Sequence, residues 1–150
     1  MRKNNGQLIV ELMVAMGLMT IGLLGIFSVL SQSLGLSRVA ANQYIAANLA
    51  AEGIEVTKSI LDTNFINGDQ WNLGFPNGSS TVQYNSTVLE DKVGETLKFD
   101  ELSGLYSYDN GKATNFKRTI EITNSLDSTE IKVTSVVEWK NRGGTDFKIE

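Results

Sequence analysis

The chain has 150 residues, a formal net charge of -4, and neither cysteine nor histidine. That length suits one modest domain rather than two, and the missing residue types remove disulfides, the usual zinc ligands and the commonest general base. The small negative charge offers no basic footprint, so no specific nucleic-acid partner is expected.

The first predicted element is a membrane span. Residues 12–30 contain no charge and are mostly Leu, Ile, Val, Met, Ala, Phe and Gly. As a helix this stretch is about 28 Å long, close to the ~30 Å hydrocarbon core of a bilayer. Arg2 and Lys3 precede it with no acid beside them, which predicts a cytoplasmic N-terminus and an exported remainder. A conventional cleaved signal has a shorter apolar region and a small-x-small cleavage site, and residues 12–30 overrun that pattern.

One carboxylate opens the apolar run, in Gly6-Gln7-Leu8-Ile9-Val10-Glu11-Leu12. Near a helix N-terminus the macrodipole favours such a charge, so Glu11 also fits an ordinary headgroup-level position. The whole arrangement, a short basic leader, Gly6, four residues, Glu11 and a long apolar helix, resembles the N-terminal signal of type IV prepilins. That resemblance implies cleavage between Gly6 and Gln7 by a membrane prepilin peptidase on the cytoplasmic side, with methylation of the new amine. It also implies that Glu11, as the fifth mature residue, pairs with the amine of a neighbouring subunit during assembly. The family usually has Phe and then Thr or Ser at the first two mature positions; Gln7 and Leu8 stand there in this chain.

The helical pattern continues past the apolar run. No proline interrupts residues 34–62, and Leu34, Ala41, Ile45, Leu49, Val56 and Ile60 form a stripe at helical spacing. Leu36, Ala50, Ile54 and Leu61 widen it, while Asn48, Glu52, Glu55, Lys58, Ser59 and Asp62 lie opposite. A single helix over 7–61 would be roughly 80 Å long, which is similar to the spine helix of pilins. The run Ala46-Ala47-Asn48-Leu49-Ala50-Ala51-Glu52-Gly53-Ile54-Glu55 resembles minor pilins and I-type pseudopilins of type II secretion. Gly17, Gly22, Gly25 and Gly35 provide small positions where helices can approach closely.

After Asp62 turn residues dominate, in Thr63-Asn64-Phe65-Ile66-Asn67-Gly68-Asp69 and again in Phe75-Pro76-Asn77-Gly78-Ser79-Ser80. Beyond them the pattern is β. Leu105 to Tyr108, Asp109-Asn110-Gly111 and Asn115 to Thr123 suggest a hairpin turned at Asn-Gly. Ile131, Val133, Val137 and Trp139 share a strand face, and Arg142-Gly143-Gly144 leads to a last strand around Phe147 and Ile149.

The expected fold is α+β: one long N-terminal helix, membrane-spanning in its first half, against a small and mainly antiparallel sheet. The expected organisation is a leader at 1–6, a transmembrane helix at 7–33, its amphipathic continuation at 34–62 and a β-rich head at 63–150. No calcium loop is expected at Asp62, Asn64, Asn67 and Asp69, because Gly68 is out of place and no bidentate Glu follows. No cofactor, metal or catalytic residue is expected, since no serine has an activating histidine and no carboxylate pair stands out. The aromatic residues Trp71, Phe75, Tyr106, Tyr108 and Trp139 are expected mainly in the core.

The functional expectation is a structural subunit, a minor pilin or pseudopilin of a pilus, type II secretion or competence filament. Its processing site is Gly6 and Gln7 and its assembly residue Glu11; its partners are prepilin peptidase, other pilin or pseudopilin subunits and the membrane. The alternative is an uncleaved single-pass membrane protein with an extracytoplasmic ligand- or partner-binding domain.

Overall fold

A computed structural model describes residues 5–126, 129–141 and 144–150. Arg2 and Lys3 of the expected leader, and Arg142 and Gly143 of the expected final turn, lie outside the described residues. The chain forms two compact units, Met1–Ala41 and Asn42–Glu150. A single helix α1 (Asn5–Asn67) contributes to both.

In the second unit, α1 is followed, among the described residues, by seven short or medium strands. They are β1 (Gly78–Ser80), β2 (Lys98–Phe99), β3 (Tyr106–Ser107), β4 (Lys112–Ala113), β5 (Phe116–Asn124), β6 (Ile131–Lys140) and β7 (Asp146–Ile149). The main sheet has the order β1-β5-β6-β7 and every neighbouring pair is antiparallel. Its centre is the β5–β6 hairpin, in register from Phe116 opposite Trp139 to Asn124 opposite Ile131. The α+β fold, with a long helix against a small antiparallel sheet, is present.

The helix packs on this sheet because strand alternation and helical period meet in one layer. Phe116, Ile120 and Ile122 of β5 and Val137 and Trp139 of β6 are buried on one side of the sheet. Ala46, Leu49, Ala50, Thr57 and Ile60 of α1 are buried too, at the spacing that keeps residues on one helix face. They form two clusters. Ala46, Leu49 and Ala50 join Leu97, Tyr108, Phe116, Val137 and Trp139; Ile60 joins Phe75, Val82, Ile120 and Ile122. Rings run in sequence through the first cluster, from Phe99 to Tyr106, Phe116, Trp139 and Phe147, with centroids 5.0–6.4 Å apart. Of the aromatic residues expected in the core, Phe75, Tyr108 and Trp139 are buried, and Trp71 and Tyr106 half-buried. The buried arc of α1 is narrower than its apolar pattern: Tyr44, Ala47, Ala51 and Ile54 are exposed.

Three local expectations are corrected. Residues 63–67 are helical rather than a loop, because their polar groups bond without unwinding the backbone. Thr63 Oγ1 donates to Ser59 O at 2.8 Å, and Asn64 Nδ2 donates to Leu73 O at 2.8 Å. The helix stops at Gly68, whose φ of 77° is easy only for glycine. Gly68 N–H to Phe65 O and Asp69 N–H to Asn64 O, at 3.2 and 3.0 Å, then close the end as paired capping bonds. Second, Gly78–Ser80 is a strand, not a turn, and pairs with β5. Third, the Asn110-Gly111 turn does not join a hairpin. β3 and β4 lie on either side of β2 and both pair with it. The chain must cross the end of β2 at Gly111, where a Cβ would lie 2.5 Å from Phe99 O.

One charged side chain lies inside the helix–sheet layer. Arg118 of β5 is fully buried, and its Nη1 donates to Leu49 O and to Glu52 Oε1, each at 3.0 Å. Its Nη2 donates to Val82 O at 2.5 Å. Arg118 thus ties helix, strand and loop together. Beside it, Gly53 lets the helix backbone approach β5 and β6. A Cβ at Gly53 would strike Ser135 Oγ and come within 3.1 Å of Arg118 Cδ and Ile120 Cδ1. Gly53→Ala gains up to ~1 kcal/mol of helix propensity but incurs an overpacking cost of about 1–3 kcal/mol. Thermal melts of the full chain in detergent are therefore expected to show net destabilisation. Adding Ser135→Gly is expected to recover part of the loss, whereas strictly additive effects would place the strain elsewhere.

Candidate functional site: an unpartnered apolar helix segment

The residues singled out by sequence all lie near the beginning of α1. Gly6, Gln7 and Glu11 are helical and exposed. Gln7 and Glu11 are four residues apart, so the helix places them one turn apart on the same face. Gly6 adjoins them with nothing within 4 Å of the position a Cβ would take.

Behind Glu11 the surface is apolar on every side. Leu8, Met13, Leu18, Met19, Ile21, Leu24, Ile26, Phe27 and Val29 are all mostly exposed, Met19 and Ile21 at 70% each. A turn of helix in water would not ordinarily leave so much apolar area uncovered; each such side chain forgoes about 1.5–3 kcal/mol of burial. Among the described residues this is the one helix long and apolar enough to cross a membrane. Its backbone polar groups are satisfied within the helix, as a lipid environment requires. Thr20 satisfies its own hydroxyl by donating to Met16 O at 2.8 Å.

The glycines of α1 fall into two kinds. Gly53 is required by packing inside the head. Gly17, Gly22, Gly25 and Gly35 meet no atom within 4 Å where a Cβ would stand, so their smallness serves no contact among the described residues. Gly22 and Gly25 leave a shallow groove bordered by Ile21, Ile26, Val29 and Ser33.

In the head, no group of three or more histidine, cysteine, aspartate or glutamate side chains converges on a metal-sized site among the described residues. Asp62, Asn64 and Asn67 belong to the last turns of α1 instead of a coordinating loop. Sequence reasoning missed two polar centres. Arg118 is one; strict alternation with Phe116, Ile120 and Ile122 is the signal that places it on the core face. The other is a loop cluster around Lys92. Its Nζ lies 2.9 Å from both Glu90 Oε2 and Asp109 Oδ1. Gln83 Nε2 donates to Asp109 Oδ2 at 2.8 Å, and Ser86 bonds Glu90. Asp109 lies 17 residues from Lys92 and 26 from Gln83, and no local pattern announces that they meet.

No protein-family model, curated protein or solved structure matches the chain.

The Lys92 cluster has a pH signature. Hydrogen bonds to Asp109 and then Glu90 push the Lys92 ammonium up to about 12, from the ordinary lysine value of 10.5. Gln83 and then Lys92 hold Asp109 below the usual carboxylate range. A folded value above the unfolded one means that folding favours the charged ammonium. Its stabilisation is complete below 10.5 and is lost as pH rises through about 12. The melting-point difference between the native chain and Lys92→Met is expected to be constant at neutral pH and to shrink across that alkaline window. A difference unchanged through pH 12 would contradict the assignment.

Proposed function

We propose that this chain is a structural subunit of a type IV pilin-like filament. It is inserted by its apolar helix, cut between Gly6 and Gln7 by a prepilin peptidase, and assembled with copies or relatives through the same helix. The observation that carries this reading is the N-terminal segment itself. It combines Gly6 and Glu11 at the prepilin spacing with an apolar surface and four glycines that find no partner among the described residues.

The chemistry follows from charge and depth. Cleavage leaves an amine on Gln7. A carboxylate such as Glu11 costs up to about 2.5–3.5 kcal/mol at the bilayer centre, and less toward the interface. A neighbouring subunit's amine offsets that cost, so Glu11 selects the axial position at which subunits lock. The apolar faces contribute packing, and Gly17, Gly22, Gly25 and Gly35 allow close backbone approach between helices. The head presents the outer surface of the filament. The role is structural, and the enzyme in the pathway is the peptidase.

The test is N-terminal sequencing of the full chain produced with and without a prepilin peptidase. A start at Gln7 only with the peptidase is the expected result; an intact N-terminus in both would favour the uncleaved single-pass protein. Glu11→Ala is expected to insert normally and to enter filaments about tenfold less efficiently, equivalent to ~1.4 kcal/mol. Unimpaired incorporation would remove the pairing role from Glu11.

A further inference from the structure

We infer that Asn85 is an acceptor for an asparagine-linked oligosaccharide. The triplet Asn85-Ser86-Thr87 has the Asn-x-Thr form that asparagine glycosylation requires. The fold presents this triplet in an unusual way. A reverse turn is closed by Ser86 N–H donating to Gln83 O at 2.9 Å, and Ser86 Oγ accepts the Gln83 N–H at 2.9 Å and bonds Glu90. The central residue of the triplet therefore holds the turn. The two residues that a transferase must reach, Asn85 and Thr87, are exposed, and neither side chain has a hydrogen-bond partner among the described residues. On either side, Tyr84 and Val88 are 46% and 65% exposed, leaving apolar surface that the C–H face of a sugar would cover.

A second triplet provides an internal contrast. Asn77-Gly78-Ser79 satisfies the same pattern, but its side chain is committed to the fold. Asn77 Oδ1 accepts from Asn124 N–H at 2.6 Å and from Asn124 Nδ2 at 3.1 Å. Gly78 and Ser79 are paired with Ile122 and Glu121 in the sheet. Modification is thus assigned to Asn85 and denied to Asn77.

The transfer is a substitution at the anomeric carbon of a polyprenyl-diphosphate-linked oligosaccharide, catalysed by a membrane oligosaccharyltransferase. Asn85 Nδ2 forms a bond to C1 of the first sugar and the bond from C1 to the diphosphate oxygen breaks. Polyprenyl diphosphate leaves with the electron pair, and Nδ2 gives up one of its two protons. No redox partner is needed. The inference rests on the proposed export of the residues that follow the span.

The test uses the full chain purified from the cell envelope of its own host. Between Lys58 and Lys92 there is no lysine or arginine, so trypsin delivers both triplets in one peptide. Its mass is expected to rise by whole hexose or N-acetylhexosamine increments, localised to Asn85 by electron-transfer fragmentation. Asn85→Gln should abolish the increments and Asn77→Gln should leave them. An unmodified Asn85, or sugar on Asn77, overturns the assignment when protease added to spheroplasts digests the head, since the head is then exported. A head protected in spheroplasts overturns the export premise, and the assignment falls with it.

Discussion

The head is organised around how closely a helix can lie on a sheet. At Gly53 the approach is limited by Ser135, Arg118 and Ile120, and the missing side chain is what allows it. Once the backbone is that near, Arg118 can reach a helix carbonyl, a helix carboxylate and a loop carbonyl from one strand position. A buried guanidinium is costly unless its donors are used; these three acceptors serve Nη1 and Nη2, while Nε is buried without a partner among the described residues. The apolar clusters on either side of Arg118 supply the burial, while the arginine fixes how the helix is rotated over the strands.

The first unit obeys a different solvent. Among the described residues of Met1–Ala41 nothing corresponds to the layered packing of the head, and the large apolar side chains are exposed. The same helix is long and apolar enough to cross a membrane. The two kinds of glycine in α1 express this division. One is confined by its own sheet, and the others meet no atom among the described residues.

Much of this architecture was legible from the amino-acid sequence, for identifiable reasons. The helix was readable because apolar residues recur at its period and no proline intervenes. β5, β6 and β7 were readable because Ile120 and Ile122, Val133, Val137 and Trp139, and Phe147 and Ile149 alternate with polar residues. The end of α1 was not, because Thr63, Asn64 and Asn67 have the composition of a turn while their side chains satisfy themselves around an intact helix. β1 and β2 are too short to show alternation, and their pairing depends on residues far along the chain. The Lys92 cluster was hidden because it is completed only when Asp109 folds back on residues 83–92. Gly6, Gln7 and Glu11 stand out in the sequence by spacing alone, and the helix adds only that Gln7 and Glu11 share a face.

The bonds made by Arg118 also shape how the head comes into being. They join residues 69 and 36 positions apart. Closing such loops consumes chain entropy before any contact returns it, which slows folding relative to local structure. A chain made from its N-terminus, with the span held in the membrane and the residues after it exported, would therefore have its helix complete well before strand β5 emerged. During that interval the sheet-facing side of the helix would be without its cover, and the head would reach its final form only near the end of passage. The helix would thus be ready early and the sheet late, an order of events set by where along the chain one arginine is encoded.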